Sequence, residues 1–360
     1  MPRVRLLSID AFRGLTIAAM VLVNNPGTWD AIYPPFRHAA WHGLTPTDVV
    51  FPFFLFIVGL AIPLSLDGRA PLFAVVRVVR RAMVIFALGL VLNGVPAFDW
   101  TTIRIPGVLQ RIAVCYLAAA VVYLLTGWRG QSLVAAALLL GYWGAMTLIP
   151  VPGYGAGDLG PEGNLAAYVD RVVLGPHVWH ISRVYDPEGI LSTIPAVATV
   201  LFGMLAGRWL LSHHPPRTIT TGLLLAGALG LGLGAEWGNW FPVNKALWTS
   251  SYAVLTAGIA LLVLAACYWA IEMCDWRRWA RPFVVLGENA LTVYVLSTLM
   301  AQMLTVVRVG DLTVKQLVFQ RVFAPWASPV NASLAYAVAY VLGWWCATAL
   351  LSRTGIRVRA

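Results

Sequence analysis

Runs of about twenty apolar residues recur along the whole chain, separated by short polar connections, and they are apolar on every face rather than on one stripe. Roughly 20 such residues cross a hydrocarbon core as a helix. Barrel strands would instead alternate apolar and polar positions over about ten residues. The pattern predicts ten spans, over 9–25, 48–66, 80–97, 107–127, 131–150, 190–211, 217–236, 247–271, 283–305 and 330–352. The fold class expected is therefore all-α, a polytopic membrane protein forming a single integral domain over residues 1–360. The longest connection, 151–189, opens on the turn-rich VPGYGAGDLGPEG, and a short helix is expected within it around Asn164–Val173.

Composition agrees with this reading. Hydrophobic residues make up 59% of the chain and charged residues 11%, with a mean hydropathy of +0.76, far too little charge for a soluble surface of this size. Several of the sixteen Trp, among them Trp41, Trp100, Trp128, Trp237 and Trp276, fall near span ends, where an interfacial aromatic belt places them. Charge sets the orientation. With the N-terminus inside, fifteen Lys and Arg, including Arg3, Arg5, Arg69, Arg77, Arg80, Arg81, Arg208, Arg277, Arg357 and Arg359, fall on cytoplasmic segments. Eight, including Arg37, Arg104, Lys245 and Arg321, fall outside, so both termini are expected in the cytoplasm. The net charge of +10 is thus topological, and dispersed arginines at helix ends argue against nucleic-acid binding. Asp10 and Arg13 interrupt the first apolar run and no small-residue cleavage site follows, so the first span is expected to stay in the membrane. Cys115, Cys267, Cys274 and Cys346 have neither metal nor redox spacing and are expected to act as small packing residues.

Candidate chemistry gathers in Arg37-His38-Ala39-Ala40-Trp41-His42-Gly43-Leu44-Thr45-Pro46-Thr47-Asp48, immediately before the second span. Histidine takes and returns protons near neutrality, and ionisable groups at a membrane boundary are costly enough to imply a purpose. Asp10 and Arg13, three apart on a helix, either neutralise each other or leave Arg13 for an anionic ligand. Asn24 and Asn25, ahead of Pro26-Gly27, are either a helix C-cap or hydrogen-bond donors to an oxyanion. Arg111, one turn into the fourth span, is expected to pair with Asp48 or Glu288, because an unpaired arginine there is expensive. Asp186 and Glu188 either cap the sixth span or meet sugar hydroxyls and amines. His177 and His180 are spaced like two metal ligands, but the rest of a metal set is missing.

Five strings appear in the same order as in one known family: LLSIDAFRGLTIAAMVLVNN, HAAWHGLTPTDVVFPFFLFIVG, RIPGVLQRIAVCY, YDPEGILSTIPA and NKALWTSSY. Together they resemble the transmembrane heparan-α-glucosaminide N-acetyltransferases and their bacterial relatives. The resemblance implies a transmembrane acyltransferase-type fold in a bacterial inner membrane. It also implies transfer of an acetyl group from cytoplasmic acetyl-CoA to the amine of a glucosamine-type sugar across the membrane. It places the active-site histidine at His38 and a companion asparagine at Asn24. Asp48 is expected to orient His38. Arg13, Arg77, Arg80 and Arg81 are expected to hold the CoA phosphates, and Trp41, His42, Arg104, Asp186, Glu188 and Lys245 to meet the acceptor. Two departures from the animal members are expected to alter the acceptor: His42 replaces an Asn, and no long luminal segment is expected ahead of the first span. No metal is implied, and a homodimer is carried as the candidate assembly. The rival readings are an amino-sugar or N-acetylglucosamine carrier and an O-acyltransferase acting on a cell-envelope glycan.

Overall fold

The computed structural model describes residues 6–67 and 71–353. Arg3, Arg5, Arg69, Arg357 and Arg359, and with them both termini, lie outside the described residues. The helices are α1 (Leu7–Asn24), α2 (Val50–Leu66), α3 (Pro71–Gly94), α4 (Val108–Leu125), α5 (Trp128–Leu148), α6 (Leu165–Leu174), α7 (Thr193–Leu210), α8 (Pro216–Trp237), α9 (Ser250–Tyr268), α10 (Arg281–Glu288), α11 (Ala290–Val306), α12 (Val314–Val318) and α13 (Pro329–Arg353). Strand structure among the described residues is confined to a two-residue hairpin, β1 (Arg308–Val309) with β2 (Leu312–Thr313).

Among the described residues eight helices are long and apolar enough to cross a bilayer, and the pair α10–α11 adds a ninth if its two halves form one span. That pair is bent by 79° at Asn289, whose side-chain amide turns back to the Val285 carbonyl at 3.2 Å. A single straight span over 283–305 is therefore replaced by a broken one. The third span also differs from expectation. Its helix, α3, is not among those eight and starts at Pro71, not near 80, so Arg77 lies inside the helix instead of ahead of it, in line with Arg80 and Arg81. Long arginine stems tolerate this by lying along the helix toward its end. The remaining spans start and stop within three residues of the expected limits.

Glycines set the closest helix contacts. A Cβ on Gly59 of α2 would lie 1.9 Å from the Val200 carbonyl of α7, and one on Gly203 would lie 1.9 Å from the Phe56 carbonyl. These two backbones touch because both faces lack side chains, as in close-packed membrane helices. α8 pairs with α9, α3 with α4, and α1 with α10. The largest buried cluster joins α2, α4, α7 and α9, with Leu55, Cys115, Met204, Trp248 and Tyr252 at its centre. Cys115 and Cys267 are buried as expected, but Cys274 and Cys346 are exposed and pack no core.

Candidate active site

Four connections at one end of the bundle build the site: 25–49, 95–107, 149–192 and 238–249. The first is held by a capping arrangement. Thr45, Pro46 and Asp48 start the turn that leads into α2, and the Asp48 carboxylate reaches back to the Thr45 amide at 3.1 Å. A carboxylate in this position satisfies a helix-start donor and meets the positive end of the dipole. The same oxygen, Oδ2, accepts from the Ala39 amide at 3.1 Å and the Thr45 hydroxyl at 2.9 Å. Its partner oxygen, Oδ1, stands 2.7 Å from Nδ1 of His38. Asp48 is 1% exposed, while the His38 side chain is 46% exposed. From α9, the Tyr252 hydroxyl donates to the Asp48 carbonyl at 2.6 Å. His38 therefore presents Nε2 to the open site, with Nδ1 fixed behind it.

The 238–249 connection closes on this pair. Gly43 donates to the Val243 carbonyl at 2.7 Å, and Asn244 meets Nδ1 of His42 at 3.3 Å. Lys245 brings its ammonium to 3.1 Å from Nδ1 of His38 and 3.6 Å from Oδ1 of Asp48. Burial pulls Lys245 below the ordinary lysine pKa, and the carboxylates of Asp48 and Glu188 oppose that pull.

The long loop supplies an aromatic wall. Its helix, α6, begins one residue later than expected, with Asn164 as the N-cap accepting from the Ala167 amide at 2.7 Å. The Trp41 indole donates to the Leu159 carbonyl at 2.8 Å and meets Tyr185 edge-on at 5.0 Å, and Tyr185 in turn lies 6.3 Å from Trp179. Asp186 does not cap the sixth span. It is buried and takes Nε of Arg104 at 2.9 Å and the Trp179 amide at 3.0 Å, while Glu188 takes the same guanidinium. Burial works against the charge of Arg104, but Glu188 and Asp186 together raise its pKa above the ordinary value. Below them, burial pushes Asp170 up to about 6 against the amides of Ile190 and Asp186.

Arg111 pairs with neither Asp48 nor Glu288. It is 2% exposed and donates to the Gly189 carbonyl at 3.2 Å and to the Ser192 hydroxyl, with its guanidinium 5.2 Å from the Trp248 ring. A planar guanidinium can stack on an indole and use carbonyls in place of a counter-ion. Its Nε and Nη1 find no partner among the described residues. Asn24 is exposed at the end of α1 and its side chain makes no hydrogen bond among them, whereas Asn25 is buried and its side chain bonds back to the Val21 carbonyl at 2.8 Å. No described contact joins Asn24 to His38.

Toward the other end of the bundle, Arg13 meets Asp10 at 3.4 Å and the Gly287 carbonyl at 3.5 Å. Arg77 and Arg80 are exposed, and Arg81 turns onto the Tyr116 ring of α4 at 5.3 Å. Sequence reasoning passed over Arg208 of α7, which lies 4.5 Å from the Tyr123 ring, about two turns further along α4. Nε of both Arg81 and Arg208 is buried without a partner. It also passed over Tyr252, Asn244 and Trp248. The Thr-x-x-Asp spacing at Thr45 and Asp48 was a local signal for the cap; nothing local announces Tyr252, 204 residues from the group it holds. No cluster of three or more metal-ligating side chains occurs among the described residues.

Comparison with known proteins decides the family. Residues 5–230 match the family described as "Heparan-alpha-glucosaminide N-acetyltransferase, catalytic". The chain belongs to this family. It is 31% identical over 354 aligned residues to the heparan-alpha-glucosaminide N-acetyltransferase of Homo sapiens, covering 81% of this chain and 52% of that protein. It is 30% identical to the Mus musculus protein of the same name, covering 81% of this chain and 53% of that one. The chain thus spans about half the length of these relatives.

Proposed function

We propose that this protein transfers an acetyl group from cytoplasmic acetyl-CoA to the amine of a glucosamine-type sugar on the other side of the membrane. The observation that carries this reading is the His38–Asp48 pair. A buried carboxylate holds Nδ1 at 2.7 Å and so leaves Nε2 as the basic nitrogen at an open site. As the sugar amine attacks the thioester carbonyl, a C–N bond forms and Nε2 takes the amine proton. The C–S bond then breaks, and the imidazolium returns that proton to the departing thiolate. The amide of Asn24 is the candidate donor to the carbonyl oxygen as it gains charge, worth about 2.7–4 kcal/mol if it behaves like other such donors. Trp41 and Tyr185 give the sugar ring an apolar face, with His42 beside them. Arg104, Asp186 and Glu188 bind one another and shape this wall. The guanidinium groups of Arg81 and Arg208, held over the rings of Tyr116 and Tyr123, are candidates for the phosphate groups of the donor, which arginine can grip with two bonds at once. Arg13, Arg77 and Arg80 add positive charge toward the same end. The excess of arginine on one set of connections supports an inner-membrane protein with both termini in the cytoplasm.

A carrier would share one feature, the helix broken at Asn289. The two readings separate in one assay with the purified protein, acetyl-CoA and glucosamine. A wild-type protein that forms N-acetylglucosamine, and loses about 10²–10⁴-fold of that rate in His38→Ala with folding intact, fits the transferase. A His38→Ala protein as active as the wild type would remove the basis of the assignment.

A further inference from the structure

We infer that Lys245 is a positioning residue that sets its charge against that of Asp48 at the edge of the His38 ring, so that Nε2 serves as the base. This rests on the reading of His38 as the base. Two groups compete for one atom of His38. Asp48 Oδ1 lies 2.7 Å from Nδ1 of His38, and the Lys245 ammonium lies 3.1 Å from the same nitrogen. Nδ1 has one site: it either gives a proton to Asp48 or accepts one from Lys245. With the proton on Nδ1, the ammonium must turn toward Oδ1, 3.6 Å away, and its charge then sits against the edge of the imidazole.

The two neighbours pull in opposite directions. A carboxylate at hydrogen-bond distance favours the charged form of an imidazole, and an ammonium at the same distance opposes it. Asp48 and Lys245 stand at those distances from one nitrogen, so the carboxylate orients the ring while the ammonium offsets its charge. The same ammonium makes the imidazolium formed during the transfer a stronger acid toward the departing thiolate. The other groups around His38 do not supply this term. Arg37 points its Nε at the Ile32 carbonyl at 2.9 Å, and His42 is engaged by Asn244. Tyr252 binds the Asp48 carbonyl, and Glu188, from the long loop, acts on Lys245 itself.

The test uses the purified full chain with Lys245→Met, Lys245→Arg and His38→Ala. Two quantities are followed against pH: kcat/KM for acetyl transfer, and the rate at which diethyl pyrocarbonate modifies His38, measured by mass spectrometry. That reagent reacts with neutral imidazole and needs no acceptor. In Lys245→Met both acid limbs should move up by about 1–2 pH units, the usual effect of a charge within a few ångströms. The rate at neutral pH should then fall by several-fold up to roughly 10²-fold, the most such a shift can give, while the alkaline plateau stays within a few-fold. Lys245→Arg, which keeps the charge, should restore the limb. If Lys245→Met does not purify as a folded protein, Lys245→Gln serves the same comparison. An unmoved limb in both measurements, with His38→Ala inactive, overturns the role of Lys245 alone. An unmoved limb with a raised KM for the sugar makes Lys245 an acceptor contact instead. A fully active His38→Ala overturns this inference together with the reading it rests on.

Discussion

Replacing Asp48 by Asn separates the orienting carboxylate from the helix cap it also forms. Three donors converge on Oδ2, from Ala39, the Thr45 amide and the Thr45 hydroxyl, at 2.9–3.1 Å. An asparagine has one acceptor oxygen, and these donors claim it. Its NH₂ is then left facing Nδ1 of His38 and the Lys245 ammonium, donor against donor. His38 escapes by accepting at Nδ1 and carrying its proton on Nε2, the tautomer that cannot take a proton from the sugar amine. The turnover number should fall by about 10²–10⁴-fold, the range of general-base catalysis, with the upper end seen where an Asn forces the wrong tautomer of a catalytic histidine. Stability should fall less, by about 1.5–3 kcal/mol for one charge-assisted hydrogen bond. Asp48→Ala, by contrast, also strips the cap. It should cost roughly 1 kcal/mol more for each donor left open, a low figure because Ala39 and Thr45 are only partly buried. Radiolabelled acetyl transfer and thermal unfolding of the two purified variants give the comparison. Wild-type turnover in Asp48→Asn, alongside an inactive His38→Ala, would refute the tautomer argument.

Three further outcomes are expected. Arg104→Gln should destabilise the 149–192 connection by about 3–5 kcal/mol, because Asp186 is left buried without its counter-charge; a loss of activity with unchanged unfolding temperature would instead make Arg104 a substrate contact. Arg81→Gln and Arg208→Gln should each weaken CoA binding by about tenfold in calorimetry, one charge-assisted contact apiece, without moving the affinity for sugar; unchanged CoA affinity in both would remove them from the donor site. Asp170, held up at about 6 by burial, binds its proton more tightly folded than unfolded. Its contribution should therefore make the protein more stable as pH falls from about 6 to about 4, and Asp170→Asn should flatten that part of the unfolding-temperature profile.

The sequence by itself determined the membrane class, the limits of most of the spans, and the segment that carries His38 and Asp48, whereas ten spans were expected and eight or nine helices among the described residues are long and apolar enough to cross. Those features are local: an apolar run long enough for a bilayer must become a helix because its backbone has no other partner there, and Thr45 and Asp48 lie close enough to form a cap from sequence spacing alone. α3 begins nine residues before the expected start at 80, because an apolar run marks only the part of a helix that lipid would surround, and an arginine such as Arg77 can stay in a helix when its long stem reaches polar surroundings. The tertiary structure alone decided which polar groups spend their charge on each other. Arg111 was expected to meet a carboxylate, but the packing of α4 against the start of α7 offered a carbonyl, a hydroxyl and the Trp248 ring instead. Arg104, Asp186 and Glu188 became a closed ion-pair cluster, and Lys245, 207 residues from His38, was delivered to its ring edge. Side-chain charge is written in the sequence, but its partner is fixed by which connections the helix bundle brings to the same end, and that is set by contacts between residues far apart in the chain.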